Sequence, residues 1–151
     1  MNAPPRLRKA IVTAHVVSSV GWLGAVCAYA SLDVAAVTSP DIQLVRGAYV
    51  AMELIAYSAI VPLALVTVVV GLVTACSTPW GVFRHYWVIV KLLLTLVAAA
   101  VLLVETQTIS ALAAAAVSAI DPRELPGTLP HSIGGVVVLL MVTVLSIFKP
   151  K

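Results

Sequence analysis

The sequence predicts an all-α integral membrane protein, a four-helix bundle that crosses the bilayer up, down, up and down with both termini in the cytoplasm. Its 151 residues are 62% hydrophobic and only 10% charged, whereas roughly a quarter of the residues in a soluble domain are charged. Four apolar stretches are each long enough to cross a bilayer as a helix of about 20 residues. We therefore expect a single, multi-pass transmembrane domain.

The basic residues determine the predicted orientation, because short loops rich in Lys and Arg stay in the cytoplasm. Arg46 and Arg123 fall on one predicted side of the bilayer. The bases on the other side are Arg6, Arg8, Lys9, Arg84, Lys91, Lys149 and Lys151. Both termini are therefore expected inside. The bases lie at helix ends and form no patch, so the net charge of +3 does not indicate a nucleic-acid partner.

The first helix is predicted over residues 7–32. It follows Pro5, which a helix tolerates in its first turn. His15, Trp22 and Tyr29 recur every seven residues, so they share one face. We expect this face to look into the bundle.

The other three helices are predicted over residues 42–75, 82–108 and 131–148. Ser39 or Asp41 is expected to cap the first of these helices, and Pro62 is expected to kink it. The prolines between Asp121 and His131 break any helix, so they predict a surface loop.

The predicted inner half of the membrane contains a candidate cofactor site made of His15, Trp22 and Lys91. Ionisable residues at membrane depth are rare and usually functional. A neutral histidine is a common haem or metal ligand, and Trp22 on the same face could pack on a porphyrin. Lys91 would then meet a propionate or another anion. Alternatively, His15 is a hydrogen-bonded interior residue and Lys91 extends to the membrane surface.

The predicted outer half contains a candidate metal or proton site, in which Glu53, Glu105 and His131 come from three different helices. Two glutamates and one histidine suit zinc, manganese or iron better than copper(I), which prefers sulfur. The alternative is a structural polar network at the membrane interface. The supporting polar residues are Arg46, Tyr57 and Gln107.

Two short motifs carry a distant family resemblance. AHVVSSVGWLGAV, which contains His15 and Trp22, and YWVIVKLLL, which contains Lys91, resemble motifs of small bacterial membrane proteins related to the CopD copper-resistance domain and to HemJ-type protoporphyrinogen oxidases. The HemJ resemblance implies a b-type haem on His15. A second histidine would be expected about three turns after the lysine, where this chain has Leu102. The CopD resemblance implies copper import.

A closer resemblance covers most of the chain. FRHYWVIVKLLLT, AMELIAYSAIVPLAL and LSIFKPK are similar to segments of uncharacterised actinobacterial membrane proteins, which implies a location in the bacterial inner membrane but no activity.

Three functions stay open at this point. The first is a haem-binding or redox-associated protein, and the second is a non-catalytic accessory subunit of a larger membrane complex or a homo-oligomer. The third is a metal or proton pathway.

Overall fold

The computed structural model describes residues 4–77 and 86–147, and within these ranges it contains helices and no strands. The helices are α1 Pro5–Thr38, α2 Ile42–Ile55, α3 Val61–Ser77, α4 Tyr86–Ser118 and α5 Leu129–Ile147. A π turn, Ala56–Ile60, joins α2 and α3 into one continuous helix. The described residues thus form four continuous helices, and each of them is long and apolar enough to cross a membrane. For the described residues, the all-α class and four helices of sufficient length and hydropathy to span a membrane are therefore confirmed, and these helices are called spans 1 to 4 below.

The four spans form a ring. Span 1 is α1, span 2 is α2 with α3, span 3 is α4, and span 4 is α5. Spans 1 and 3 each pack against spans 2 and 4, so they lie on one diagonal of the ring. Val45, Met52 and Ala56 of span 2 and Ala116 of span 3 are almost fully buried, and they form the tightest part of the apolar core.

The π turn lies directly before Pro62. Proline has no backbone N–H to donate, and its ring clashes with the carbonyl four residues earlier in a regular α-helix. Here the N–H of Val61 bonds to the carbonyl of Ala56, five residues back. This wider turn lets span 2 continue through the proline.

Spans 1 and 3 extend further than the sequence predicted. α1 ends at Thr38 and not near residue 32, and α4 ends at Ser118 and not near residue 108. Bilayer thickness limits only the part of a helix that lies in hydrocarbon. The alanine-rich end of α4 has a high helix propensity, and it buries Leu112, Ala113 and Ala116.

Some predicted features lie outside the described residues. These are the start of the third helix at 82, the end of the fourth at 148, and the bases Arg84, Lys149 and Lys151.

One end of the bundle, here called the Asp33 end, brings together the end of α1, the start of α2, the end of α4 and the start of α5. Of the two predicted caps, the structure selects Asp41, whose carboxylate accepts bonds from the N–H groups of Gln43 and Leu44. The predicted surface loop is wrong in part. It contains a 3-10 turn, Pro122–Glu124, and α5 already begins at Leu129.

Candidate functional site

A cavity of about 280 Å³ lies between spans 1, 3 and 4. One helical face of α4 lines it, including Leu94, Ala98, Leu102 and Glu105, because steps of three and four residues return to the same side of a helix. Trp22 of α1 lines the facing wall. Most of the wall is apolar, and its polar residues are concentrated toward the Asp33 end.

The polar end of the cavity contains a contact between two of the predicted site residues. Glu105 Oε1 and His131 Nε2 are 3.4 Å apart, and both residues line the cavity. The side chain of Glu105 is 21% exposed and that of His131 is 57% exposed. The carboxylate therefore lies in the wall, while the imidazole also reaches the surface.

A buried hydrogen-bonded group, here called the Asp33 node, lies beside this pair and consists of Tyr29, Asp33, Thr128 and Ser132. Asp33 is fully buried. Its carboxylate accepts bonds from the Thr128 N–H at 3.3 Å, the Thr128 hydroxyl at 2.9 Å and the Ser132 hydroxyl at 2.8 Å. The hydroxyls of Tyr29 and Thr128 are 3.0 Å apart.

The position of this carboxylate has a clear electrostatic reason. The Thr128 carbonyl accepts the N–H groups of His131 and Ser132 in the first turn of α5, so Asp33 lies at the N-terminus of that helix. Helix N-termini favour negative charge. Among the described residues, every hydrogen bond that the Asp33 carboxylate accepts comes from a neutral donor.

Among the described residues, no contact joins Glu53 to Glu105 or His131. Glu53 is half-buried on α2, and within residues 4–77 and 86–147 no group of three or more His, Cys, Asp or Glu residues could hold a metal ion. The predicted three-residue metal site is therefore not found in the described part of the chain, and only its Glu105–His131 half is assembled.

Two of the three predicted supporting residues, Arg46 and Tyr57, bond to carbonyls of α4. Arg46 donates from Nε to the Ala116 carbonyl at 2.9 Å and from Nη2 to the Ala119 carbonyl at 2.8 Å, so it caps the C-terminus of α4. The Tyr57 hydroxyl donates to the Thr106 carbonyl at 3.3 Å. Gln107 is exposed on α4.

His15 does not line the cavity. Its ring packs against Gly71 of α3, where an added Cβ would lie 3.0 Å from His15 Cε1. His15 Nδ1 is buried and has no hydrogen-bond partner among the described residues. Lys91 donates to the Ser146 hydroxyl at 3.1 Å. Of the three predicted cofactor residues, only Trp22 borders the cavity, and haem binding at His15 stays a prediction.

The Asp33 node was missed as a site in the sequence, although a signal was present. Asp33 follows Tyr29 by four residues and so extends the face that carries His15 and Trp22. The predicted end of the helix at residue 32 placed Asp33 at the membrane rim. Its partners lie about 95 residues later in the chain, and no local pattern indicates them.

The segment between α4 and α5 contains an exposed ion pair. Arg123 binds the Asp121 carboxylate, and its Nη1 also donates to the Pro40 carbonyl at 3.2 Å. Hydrogen bonds from Arg123 lower the pKa of Asp121 from its usual 3.8 to about 2. The pair therefore links this segment to the turn between spans 1 and 2.

Comparison with known proteins identifies no relative. No family model, no curated protein and no solved structure matches the chain. The resemblances to CopD-domain, HemJ-type and actinobacterial membrane proteins stay predictions.

Proposed function

We propose that this protein binds a lipid-soluble amphipathic molecule in the cavity between spans 1, 3 and 4. The observation that carries the proposal is the cavity itself, whose long apolar wall ends at the Glu105–His131 pair. Ligand sites are typically concave and mostly apolar, with a few polar groups that orient the ligand. The apolar part of the ligand would lie along α4, and its polar part would meet Glu105.

The proposed orientation puts this polar group near the outer surface of the bacterial inner membrane. The spans would run up, down, up and down with both termini in the cytoplasm, as the positive-inside rule predicts. Arg46 and Arg123, the two bases assigned to the outer side, both bond to residues at the Asp33 end. This supports an outward-facing Asp33 end.

The same pair supports a second candidate function, a proton pathway. His131 is more than half exposed, whereas Glu105 lines the cavity, so the pair could move a proton between the surface and the cavity. In proteoliposomes with an imposed pH gradient, Glu105→Gln is expected to abolish proton flux, and equal flux in the variant and the wild type would exclude the pathway. Haem binding and an accessory-subunit role stay predictions from the sequence.

The ligand-binding proposal is tested by filling the cavity. Protein would be extracted from its own membrane with a polymer that retains lipids, and the bound molecules would be identified by mass spectrometry. Leu102→Trp fills the cavity wall, and Leu103→Trp is the matched control, because Leu103 is 46% exposed and outside that wall.

The wild type and Leu103→Trp are expected to retain a molecule that Leu102→Trp loses. Ala98→Leu provides a milder change at the same wall if the tryptophan prevents folding. Identical extracts from all four proteins would overturn the proposal.

A further inference from the structure

We infer that the ligand of this cavity is a lipophilic amine with a single apolar tail, recognised through its cationic head by the Glu105 carboxylate. This inference rests on the proposed function and adds the chemical class of the ligand. It follows from the charges around the polar end and from the dimensions of the cavity.

The charge on the cavity wall favours a cation. Among the described residues, Glu105 is the only carboxylate that lines the cavity, and none of the lining residues is a lysine or an arginine. His131 also lies in the wall, with its Nε2 3.4 Å from Glu105 Oε1. An ammonium group could donate hydrogen bonds to the carboxylate, whereas a phosphate would meet it as a like charge.

The two arginines described at the Asp33 end are bonded to other groups and do not neutralise this charge. The guanidinium of Arg46 is bonded to carbonyls at the end of α4, and that of Arg123 is bonded to Asp121. The Asp33 carboxylate lies behind Thr128 and Ser132, which line the cavity.

The size of the cavity favours one tail over two. Its volume of about 280 Å³ is just below the range of roughly 300–1,000 Å³ typical of small-molecule sites. The lining residues of α4 extend from Leu94 to Ile109, a distance of roughly 22 Å at 1.5 Å per residue. A long and narrow space suits one extended chain better than a two-chain phospholipid.

The test compares three photoreactive probes that share one dodecyl chain and differ only in the head: a primary amine, an alcohol and a phosphate monoester. The full-length protein would be placed in phosphatidylcholine nanodiscs, and crosslinks would be mapped by mass spectrometry. For each probe, labelling is measured at the residues between 94 and 109 that line the cavity. This value is divided by the labelling at Val104, which is 70% exposed on the outer side of α4. The ratio corrects for the different partitioning of the probes into the bilayer.

The amine is expected to label the cavity about tenfold or more above the alcohol, since a charge-assisted hydrogen bond contributes at least that much to affinity. The phosphate is expected to label it least. Glu105→Gln should remove the preference for the amine. Glu53→Gln should keep it, because Glu53 does not line the cavity.

The outcomes separate the two proposals. Equal cavity labelling by all three probes, or strongest labelling by the phosphate, overturns the amine inference and leaves the ligand-binding proposal standing. Absence of cavity labelling by every probe overturns both. The comparison of the three heads on the wild type decides the matter even if Glu105→Gln does not fold.

Discussion

The carboxylate of Asp33 and the hydroxyl of Ser132, 99 positions apart in the sequence, are 2.8 Å apart at the buried junction of α1 and α5. Asp33 thus links the first span to the last, because it accepts hydrogen bonds from residues at the start of α5. Because its described partners are neutral donors, the negative charge is stabilised by hydrogen bonds and by the N-terminus of α5. Thr128 and Ser132 of this junction also line the cavity.

Removal of the Asp33 carboxylate should destabilise the bundle. Asp33→Ala leaves the N–H and hydroxyl of Thr128 and the hydroxyl of Ser132 without their acceptor. A loss of at least about 2 kcal/mol is expected, because each hydrogen bond to a charged group contributes roughly 1.5–3 kcal/mol. The free energy of unfolding, measured by titrating detergent micelles with sodium dodecyl sulfate, checks this. Glu124→Ala, at an exposed position, should change little, and equal effects of the two variants would contradict the assignment.

Arg46 should stabilise the last turn of α4. Arg46→Met removes two charge-assisted bonds to the carbonyls of Ala116 and Ala119, so amide hydrogen exchange should accelerate over residues 112–119. Arg46→Lys keeps the charge near the helix C-terminus but not the two-pronged geometry, so its effect should be intermediate. Unchanged exchange in Arg46→Met would show that the cap does not stabilise this end.

The contact between His15 and Gly71 predicts a difference between two glycines. Gly47→Ala should stabilise the protein by up to about 1 kcal/mol, because the site is open and alanine is the better helix former. Gly71→Ala should not, since its Cβ would lie 3.0 Å from His15 Cε1. Combining Gly71→Ala with His15→Ala should restore the gain. Thermal unfolding of the wild type and these three variants measures this, and an equal gain at both glycines would place His15 elsewhere.

The Asp121–Arg123 pair should make a small contribution to stability that depends on pH. The pKa of Asp121 in the folded state is lowered to about 2 from its usual 3.8, so the folded state binds the proton less readily than the unfolded state. The contribution is therefore complete above the usual value, and it disappears as the pH falls through about 2.

This pH dependence can be measured directly. The chemical shift of the Asp121 carboxyl carbon should titrate near pH 2 in the wild type and near its usual value in Arg123→Gln. High salt should reduce the difference, because the pair is exposed. Coincident titrations would show that Arg123 does not hold this carboxylate.

Several features of the fold follow from local sequence. The four apolar stretches predicted four spans, the start at residue 42 was correct, and Asp41 caps span 2 as expected. These features depend on hydropathy and on side chains a few residues apart. The helix ends at Thr38 and Ser118 were misplaced, because hydropathy indicates where a helix leaves hydrocarbon but not where it stops.

The candidate site could be predicted only in part. Glu105 and His131 were placed in one group, and the structure joins them, but Glu53 was expected there as well. Depth in the membrane was the only criterion available, and residues at the same depth can face different neighbours. His15 and Trp22 share a face by spacing, yet one packs on α3 and the other lines the cavity.

Composition and helical periodicity act locally, so they were enough to predict a helical chain with four helices long and apolar enough to cross a membrane. Only the tertiary structure decided that Asp33 joins the first span to the last, that Arg46 caps α4 and that Glu105 faces a cavity. Those relationships link residues between 26 and 99 positions apart. They depend on the rotation and the axial shift of each helix relative to its neighbours. The packing of all four helices together determines that rotation and shift.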